Sequence, residues 1–484
     1  MREATLFIIL TLLLVGCSKK KLECVICDER PPVAAAGYVS LNKWMFEIDG
    51  KEWFPKMLNY KAFIKDDQVV PAPWYTGTNV REHFDTIASW GFNAIRVCLD
   101  VMNEGGDTST MYRATRRMVQ QADSAGLRVM LLIKSPFEGY WRDYAIGLMR
   151  CLADLPALWA YDLMNEPLYF DTETMREKCD AYNIVCEWRQ LVRDNAPHQL
   201  FTVSTAEPIE VFEWDPAMLP VDFLEMHTYH PLRAQAEMWW YSHYTGKPWM
   251  VGETGLPSDG DSVPYLAQVG FMWETYRYAK INNAIGYGWW EFQDCPEGVN
   301  FEAQYTGLRD SNGKRKPAAD LASYMGWVCL GVMTDEDLMP PVNYYNMLAY
   351  QNVAVTGRIV DTDGHPIEGA VIRGWNEDWS VGMNTFSDSS GRFRLVSNDI
   401  CTHFEISAPR CSKVKFDRLL PYPDNLPLPD RQREYQQIPL LGWGEPLPLP
   451  DGSIQYDLLP TNPKRFEAPN AMEASIGDII LERL

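Results

Sequence analysis

Between residues 54 and 290, eight short apolar segments alternate with helical stretches, and this alternation constrains the fold most. The apolar segments predict strands at 54–59, 94–99, 128–133, 158–164, 200–204, 223–227, 249–253 and 285–290. The intervening stretches predict helices, among them 80–90, 112–125, 174–195 and 263–282. Such alternation indicates a parallel sheet covered on both faces. Eight units, closed by a helix that starts near Pro317, predict an α/β fold, a (β/α)8 TIM barrel of about 290 residues.

The chain changes character after Pro340 and Pro341, where short β-like runs are separated by the turn dipeptides DG, EG and SG. This pattern is typical of an all-β domain. We therefore expect a catalytic barrel at 38–335, a linker at 336–350 and a small β-sandwich at 351–484. A Pro-rich insertion interrupts the sandwich before its closing strand, "IGDIILERL".

The N-terminus reads "MREATLFIILTLLLVGCSKKK", with a short charged start, an apolar stretch and a small residue before Cys17. An apolar stretch of this length is too short to span a bilayer, so residues 1–16 are predicted to be a signal peptide. "LVGC" resembles the bacterial lipobox, which implies a lipid on Cys17 and a tether at 17–37. The expected location is the bacterial outer membrane, on its periplasmic or cell-surface face. An ordinary secreted protein with a chance cysteine is the alternative.

The net charge of the chain restricts the classes of molecule that it can bind. Lys and Arg total 44 against 65 Asp and Glu, which gives a formal charge of −21. Nucleic acid requires a basic footprint and is therefore excluded as a partner. Like charge also slows the encounter with polyanionic sugars, so a neutral glycan is favoured. The 18 Trp and 24 Tyr fit either an aromatic core or sugar stacking. The sequence indicates no oligomeric state.

The cysteines give limited information about pairing. Cys179 and Cys186 lie seven residues apart in a predicted helix. At 1.5 Å per residue their Cα atoms would be about 10.5 Å apart, beyond the roughly 7 Å that a disulfide tolerates. They cannot bridge each other, and the other pairings stay open. Cys24 and Cys27 form a C-x2-C without a second ligand pair, which argues against zinc.

Polar and aromatic residues stand at the predicted strand ends, where the active sites of such barrels lie. They are Arg96, Asn165, Glu166, His227, Tyr229, Glu253, Trp289 and Trp290. Glu166 in "DLMNEP" and Glu253 in "MVGETG" each end an apolar run, where an unpaired buried carboxylate is costly. Two carboxyl groups about 5–5.5 Å apart can cleave a glycosidic bond by double displacement, one as the acid and one as the nucleophile. This chemistry requires no cofactor and no metal.

These residues together resemble a retaining glycoside hydrolase of clan A, of the cellulase-like family 5, over residues 40 to 330. The resemblance implies that Glu166 is the acid/base and Glu253 the nucleophile. It also implies that Asn165 binds the sugar 2-hydroxyl and that His227 lies beside the acid/base residue. Tyr229 would hold the nucleophile in place, and Arg96 would keep the nucleophile ionised. Trp289 or Trp290 would form the floor of the −1 subsite. We expect the charge of Glu253 to raise the pKa of Glu166.

The sugar itself stays open. Lys134 and Ser135 stand where many members of that family carry a His at the end of strand three. Trp74, Tyr75 and Trp141 are expected on βα loops, where they are candidate subsite aromatics, with core packing as the alternative. The expected enzyme is an O-glycosyl hydrolase, endo-acting on a neutral β-linked glycan of mannan or glucan type. An exo-acting β-mannosidase or β-glucosidase and a non-catalytic glycan-binding lipoprotein are the alternatives.

The C-terminal region carries its own resemblance. "GRIVDTDGHPIEGAVI" and "SDSSGRFRL" resemble the carboxypeptidase-regulatory-like, transthyretin-like sandwich over about 60 residues. No exposed row of aromatic residues is visible in this region. We therefore expect the module to pack on the barrel or to act as a spacer.

Overall fold

The computed structural model describes most of the chain. The described residues are 24–101, 107–134, 136–137, 139–171, 173, 175–229, 233–261, 263–298, 300–326, 353–377, 382–397, 400–418, 447–448, 454–455 and 472–484. The predicted signal peptide, Cys17 and the 336–350 linker lie outside these residues, as does Ser135. Among the described residues, no helix combines the length and apolarity that crossing a bilayer requires.

A small antiparallel sheet closes the N-terminal end of the barrel. Its strands are β1 (Val39–Asn42), β2 (Met45–Ile48) and β3 (Lys51–Glu52). Asp49 and Gly50 both have positive φ, as a two-residue hairpin turn of type I′ requires. Phe46 of β2 is fully buried, with its ring 5.2 Å from that of Trp159 and 5.0 Å from that of Phe223. Asp49 and Gly50 therefore form the turn of a hairpin, and this hairpin closes the bottom of the barrel.

Eight parallel strands form the closed barrel. They are β4 (Lys56–Lys65), β6 (Ala94–Val101), β7 (Arg128–Ile133), β8 (Leu158–Asn165), β9 (Leu200–Thr205), β10 (Leu224–His227), β11 (Trp249–Glu253) and β12 (Tyr287–Trp289). Each strand pairs with the next, and β12 pairs with β4 to close the ring. β5 (Gln68–Pro71) adds an antiparallel edge to β4. The predicted barrel is confirmed, although β4 extends six residues further than the sequence suggested because β5 pairs with it.

Helices cover the outside of the barrel. They are α1 (Val80–Ser89), α2 (Thr108–Ser124), α3 (Gly139–Leu152), α4 (Pro167–Phe170), α5 (Lys178–Asn195), α6 (Ala234–Tyr244), α7 (Tyr265–Ile281) and α8 (Phe301–Tyr305). Asn79 and Asp107 cap α1 and α2 by accepting backbone N–H groups. A short 3-10 helix, Pro208–Phe212, follows β9. The expected closing helix near Pro317 is also a short 3-10 helix, Pro317–Ser323.

The segment at 24–37, expected as a tether, lies along α5. A disulfide joins Cys24 to Cys179 near the start of that helix, and the backbone N–H of Val25 donates to Asn183. The N–H of Val33 donates to the carbonyl of Pro197 just beyond the helix end. The segment therefore runs from the start of α5 to its end, in the direction of the helix.

The described part of the C-terminal region contains β-strands and no helix, as expected. Its strands are β13 (Val353–Asp361), β14 (Val371–Trp375), β15 (Gly382–Phe386), β16 (Arg392–Ser397), β17 (His403–Ser407), β18 (Val414–Asp417), β19 (Leu447–Pro448), β20 (Ile454–Gln455) and β21 (Met472–Leu481). One sheet has the order β16-β13-β21 and another β15-β14-β17-β18, while β19 pairs with β20. Side chains of the two larger sheets share one apolar core, which includes Val355 and Ile372. The region is therefore a small β-sandwich.

The sandwich packs on the barrel through buried polar contacts. The Lys178 ammonium donates to Asp215 and to the carbonyl of Ala408, at 2.8 and 3.0 Å. The indole N–H of Trp240 donates to the carbonyl of Gly369 at 2.8 Å. A Cβ at Gly369 would lie 2.7 Å from the ring of Tyr244, so the two surfaces meet closely there. The sandwich is thus built against the barrel.

Candidate active site

The two glutamates predicted from the strand ends meet at the C-terminal mouth of the barrel. Glu253 is the last residue of β11, and Glu166 directly follows β8. His227, the last residue of β10, places Nδ1 2.8 Å from Oε1 of Glu166 and 3.6 Å from Oε2 of Glu253. One carboxylate oxygen of each glutamate and the His227 nitrogen all lie within 4.8 Å of one another. This separation is shorter than the roughly 6.5–9.5 Å at which a carboxyl pair holds a sugar and an attacking water between its members.

Hydrogen bonds from two sides hold the Glu253 carboxylate. Arg96 donates from Nη1 to Oε1, and the hydroxyl of Tyr229 donates to Oε2. The side chain of Glu253 is almost fully buried. The two donors approach different oxygens, so they fix the orientation of the carboxyl group. The arrangement therefore presents an oriented carboxylate to the cleft.

Arg96 organises the centre of the site from a fully buried position on β6. Its Nε lies 2.8 Å from Asp162, and its remaining N–H groups donate to uncharged oxygens as well as to Glu253. These oxygens belong to Asn59, Asn165 and Ser204, at 3.1, 2.8 and 3.0 Å. Burial opposes its charge, but the carboxylates of Asp162, Glu253 and Glu225 hold the pKa of Arg96 well above its usual value. Arg96 therefore stays cationic beside Glu253.

Glu166 has an unusual backbone and a perturbed side chain. Its φ is 43°, in the left-handed region that costs a non-glycine residue free energy, and its N–H donates to the carbonyl of Ser204. Burial raises the pKa of Glu166 to about 7, while Arg96 opposes the shift and Glu207 adds to it. The charge that assists is thus that of Glu207, not that of Glu253 as the sequence suggested. A carboxyl group with this pKa is protonated below neutral pH and suits a general acid.

His227 is neutral in this setting. Its side chain is 1% exposed, and burial lowers its pKa to about 4 even though Glu253 opposes the shift. Its Nδ1 faces Glu166, and within the described residues its Nε2 has no hydrogen-bond partner. A neutral imidazole next to a carboxyl group orients it without supplying a competing positive charge.

The predicted aromatic residues divide between the site and the core. Trp290 is partly exposed, and Lys61 places its ammonium 4.8 Å from the centre of the Trp290 ring and 5.4 Å from that of Trp74. Trp289 is fully buried and donates its indole N–H to the carbonyl of Thr306. Of the two Trp, the structure therefore places only Trp290 at the site surface.

Two other aromatic candidates also differ from the expectation. Tyr75 lies on the loop before α1 but is buried, and its hydroxyl donates to Glu291 at 2.7 Å. Its ring contacts Tyr60 in the core. Trp141 lies on α3 rather than on a loop, half-buried against Tyr144. The expectation of a loop position for Trp141 is wrong because α3 already begins at Gly139.

Sequence reasoning missed four polar residues of the centre. Asn59, Asp162 and Glu225 are buried on barrel strands around Arg96, and Lys61 follows Asn59 on the same face of β4. Gly252 makes room for Glu225, because a Cβ there would lie 2.1 Å from its carboxyl group. The sequence does mark these residues, because each is a polar residue within an apolar strand. A polar side chain at such a position is buried and therefore needs a hydrogen-bond or charged partner.

Within the part of the chain that the structure describes, two clusters have the composition of a metal site, Glu166–His227–Glu253 and Asp361–Asp363–His365. In the first, Arg96 and Tyr229 already occupy both oxygens of Glu253, and the guanidinium disfavours a second cation. In the second, Asp361 accepts the backbone N–H groups of Asp363 and His365, as an aspartate does in a turn. The groups around both clusters therefore disfavour a metal ion at the first and give the carboxylate of the second a structural role in its turn.

The sequence matches no protein-family model and no curated protein. Among solved structures, exo-β-1,4-mannosidase Op5Man5 from Opitutaceae bacterium strain TAV5 is 17% identical with a TM-score of 0.44, over 56% of this chain and 59% of that protein. A GH5_18 protein from Bifidobacterium longum subsp. infantis is 17% identical with a TM-score of 0.43, over 60% and 79%.

A β-glucuronidase from Faecalibacterium prausnitzii is 14% identical with a TM-score of 0.42, over 59% of this chain and 51% of that protein. The chain thus spans about three fifths of the length of the mannosidase and half that of the glucuronidase. Similarities at this level carry no argument about substrate or mechanism.

Proposed function

We propose that this protein is a retaining glycoside hydrolase that acts on a neutral β-linked glycan of mannan or glucan type. The observation that carries the proposal is the approach of the Glu166 and Glu253 carboxyl oxygens to within 4.8 Å at the barrel mouth. This matches the separation of about 5 Å that double displacement requires. The fold alone would not assign a function, since this barrel hosts many chemistries.

In the first step of the proposed reaction, an oxygen of Glu253 attacks the anomeric carbon while the glycosidic C–O bond breaks. Glu166 transfers its proton to the departing oxygen, which its pKa of about 7 permits at neutral and acidic pH. The product is a glycosyl ester on Glu253. Asn165 accepts a hydrogen bond from Arg96 through its amide oxygen, and its amide NH2 is proposed to donate to the sugar 2-hydroxyl.

In the second step, water attacks the anomeric carbon and gives a proton to Glu166, now a carboxylate. The ester bond breaks and Glu253 regains its charge beside Arg96 and Tyr229. Two inversions at the same carbon give net retention. Trp290 is proposed as the floor beneath the sugar, because it is the partly exposed Trp at the end of β12.

A hydrolysis screen tests the function. Purified protein is offered aryl β-mannosides, β-glucosides and β-glucuronides, together with manno- and gluco-oligosaccharides and the corresponding polymers. We expect turnover of a neutral sugar, and proton NMR of the first product should show the β anomer. An α anomer would contradict the retaining mechanism, and tight binding of every glycan without turnover would support a non-catalytic binding protein.

We also propose an endo mode of action. Endo cleavage of a polymer releases mixed oligosaccharides early, whereas an exo-acting β-mannosidase or β-glucosidase releases only one small product. Product sizes at low conversion, measured by chromatography, separate the two modes. Monosaccharide as the sole early product would replace the endo proposal by the exo alternative.

Finally, we propose that a lipid on Cys17 anchors the protein in the bacterial outer membrane. The Cys24–Cys179 disulfide supports export, since disulfides persist mainly in oxidising compartments. Cys17→Ser expressed in a Gram-negative host should move the protein from the membrane to the soluble fraction. Unchanged membrane association of this variant would contradict the anchor.

A further inference from the structure

Glu210 connects the catalytic-acid loop to the next loop of the barrel. It lies in the Pro208–Phe212 3-10 helix and is fully buried. Its carboxyl group accepts the backbone N–H of Leu168 at 3.1 Å and that of Ala206 at 3.1 Å. Leu168 is two residues beyond Glu166, in the first turn of α4. Glu210 therefore ties the segment that carries Glu166 to the end of β9.

This tie matters because Glu166 has a left-handed backbone and its side chain does not cap α4. A glutamate with φ of 43° is held only where surrounding contacts fix the chain. On one side the N–H of Glu166 donates to the carbonyl of Ser204, and on the other its carbonyl accepts the N–H groups of Tyr169 and Phe170 in α4. The bond from Leu168 to Glu210 anchors the same turn of α4. Burial raises the pKa of Glu210 well above its usual value, and the nearby carboxyl group of Glu166 adds to the shift.

The sandwich supports the same 3-10 helix from the outside. Strands β14 and β17 both pack against Pro208–Phe212. Val371 of β14 is fully buried, and it belongs to the apolar core of the barrel together with Ile209 and Phe212 rather than to the core of the sandwich. A continuous path of packed contacts thus runs from the sandwich through Pro208–Phe212 and Glu210 to α4.

The same loop is fixed a second time just beyond the 3-10 helix. Glu213 accepts the backbone N–H of Arg176 at 3.1 Å and lies 3.7 Å from the ammonium of Lys413. Asp215 accepts hydrogen bonds from Lys178 and from the backbone N–H of Arg410, both at 2.8 Å. Lys413 and Arg410 belong to the sandwich, so the loop after β9 is held between the two domains.

We propose that Glu210 is a positioning residue for the catalytic acid, and that the sandwich is a brace that holds Glu210 in place through Val371. The proposal rests on the proposed function, because it assigns Glu166 the role of acid. In a spacer role the sandwich would not affect catalysis. In the proposed role the sandwich is necessary for proton donation by Glu166 in the barrel.

Leaving-group dependence tests the proposal, using the aryl glycosides that the wild-type protein hydrolyses. Glu210→Gln replaces one acceptor oxygen by an amide NH2, which faces an N–H donor. We expect kcat/KM for a poorly activated phenyl glycoside to fall about tenfold or more, since small misplacements of a catalytic group are costly. A 2,4-dinitrophenyl glycoside, which needs no proton, should keep its rate within about twofold.

A matched pair of valines tests the brace. Val371→Ala removes two methyl groups next to the 3-10 helix, and Val355→Ala removes the same groups within the core of the sandwich. We expect Val371→Ala to lower the rate on the phenyl glycoside relative to the rate on the 2,4-dinitrophenyl glycoside, as Glu210→Gln does. Val355→Ala should leave this ratio of rates unchanged. Equal losses on both substrates in Glu210→Gln, or equal ratios in the two valine variants, would overturn the proposal.

Amide hydrogen exchange provides a readout that does not depend on turnover. Peptides that cover residues 164–171 should exchange faster in Glu210→Gln and Val371→Ala than in the wild type, and at the wild-type rate in Val355→Ala. Unchanged exchange in Glu210→Gln would contradict the positioning role even in an active enzyme. Absence of any hydrolysis by the wild type, with the expected exchange pattern, would instead reject the proposed function and retain the brace.

Discussion

Nδ1 of His227 lies 2.8 Å from Oε1 of Glu166. The two groups have opposite pKa shifts with one main cause, since burial lowers the pKa of His227 to about 4 and raises that of Glu166 to about 7. Between these values both groups are uncharged, with the acidic proton on Glu166. Between about pH 4 and pH 7, Glu166 therefore carries a proton that it can transfer to a substrate.

The pH dependence of kcat/KM should show this proton. Below pH 7 Glu166 is protonated and able to assist the leaving group, and above pH 7 it ionises because its pKa is about 7. For a poorly activated aryl glycoside we expect kcat/KM to fall about tenfold per pH unit on the alkaline side. Initial rates between pH 5 and 9 provide the measurement.

Glu166→Gln is the control for that profile. Glutamine cannot ionise, so the alkaline limb should disappear and the rate on the same substrate should be about 10²–10⁴-fold lower. An alkaline limb that persists in this variant would assign the titration to another group. The buried carboxyl of Glu291, whose pKa burial also raises to about 7, would be the first to examine.

Removing the proposed nucleophile should separate the two steps of the proposed reaction. Glu253→Ala deletes the carboxylate that Arg96 and Tyr229 hold, so turnover should fall by a factor on the order of 10⁵. Azide is small enough to enter the vacated space and should restore attack on an activated aryl glycoside. NMR should identify the product as the glycosyl azide of inverted configuration, and a failure of azide to restore turnover would remove the nucleophile assignment.

Tyr229 should contribute through Glu253 alone. Tyr229→Phe keeps the ring and removes the hydroxyl that donates to Oε2. Hydrogen bonds to charged groups are worth about 1.5–3 kcal/mol, so kcat/KM should fall about 10- to 100-fold. Thermal unfolding checks that the variant is folded. A loss confined to the melting temperature, with kcat/KM unchanged, would show that the hydroxyl only stabilises the fold.

The barrel can be predicted from the sequence because each of its strands and helices is marked by residues that are close together in the chain. Each apolar segment and each helix is legible within a few residues, and the order of strands follows from the alternation. The strand ends then place Glu166 and Glu253 at one mouth, since parallel strands present their C-terminal ends together. The sequence does not separate Trp289 from Trp290, because successive residues face opposite sides and the register depends on closure with β4.

The remaining features depend on contacts between distant segments. Asp162 and Glu225 lie within strands, and only closure of the barrel turns them toward Arg96. The role of Glu207 beside Glu166 depends in the same way on how the loop after β9 folds back. Val371 lies in the barrel core because the two domains pack against each other. The sequence pattern around Val371 shows that it lies on a strand, but not which domain it contacts.

The Cys24–Cys179 disulfide closes a loop of 155 residues, and its removal should destabilise the protein. A cross-link over so long a loop mainly restricts the unfolded chain, so Cys179→Ser should lower the free energy of unfolding by about 2–5 kcal/mol. Urea denaturation without reductant measures the difference, and Cys151→Ser is the control because that cysteine is free and partly exposed. The wild type with a reductant should unfold like Cys179→Ser. If the reductant leaves the wild-type transition unchanged and Cys179→Ser matches Cys151→Ser, the bond between α5 and the N-terminal segment does not stabilise the fold.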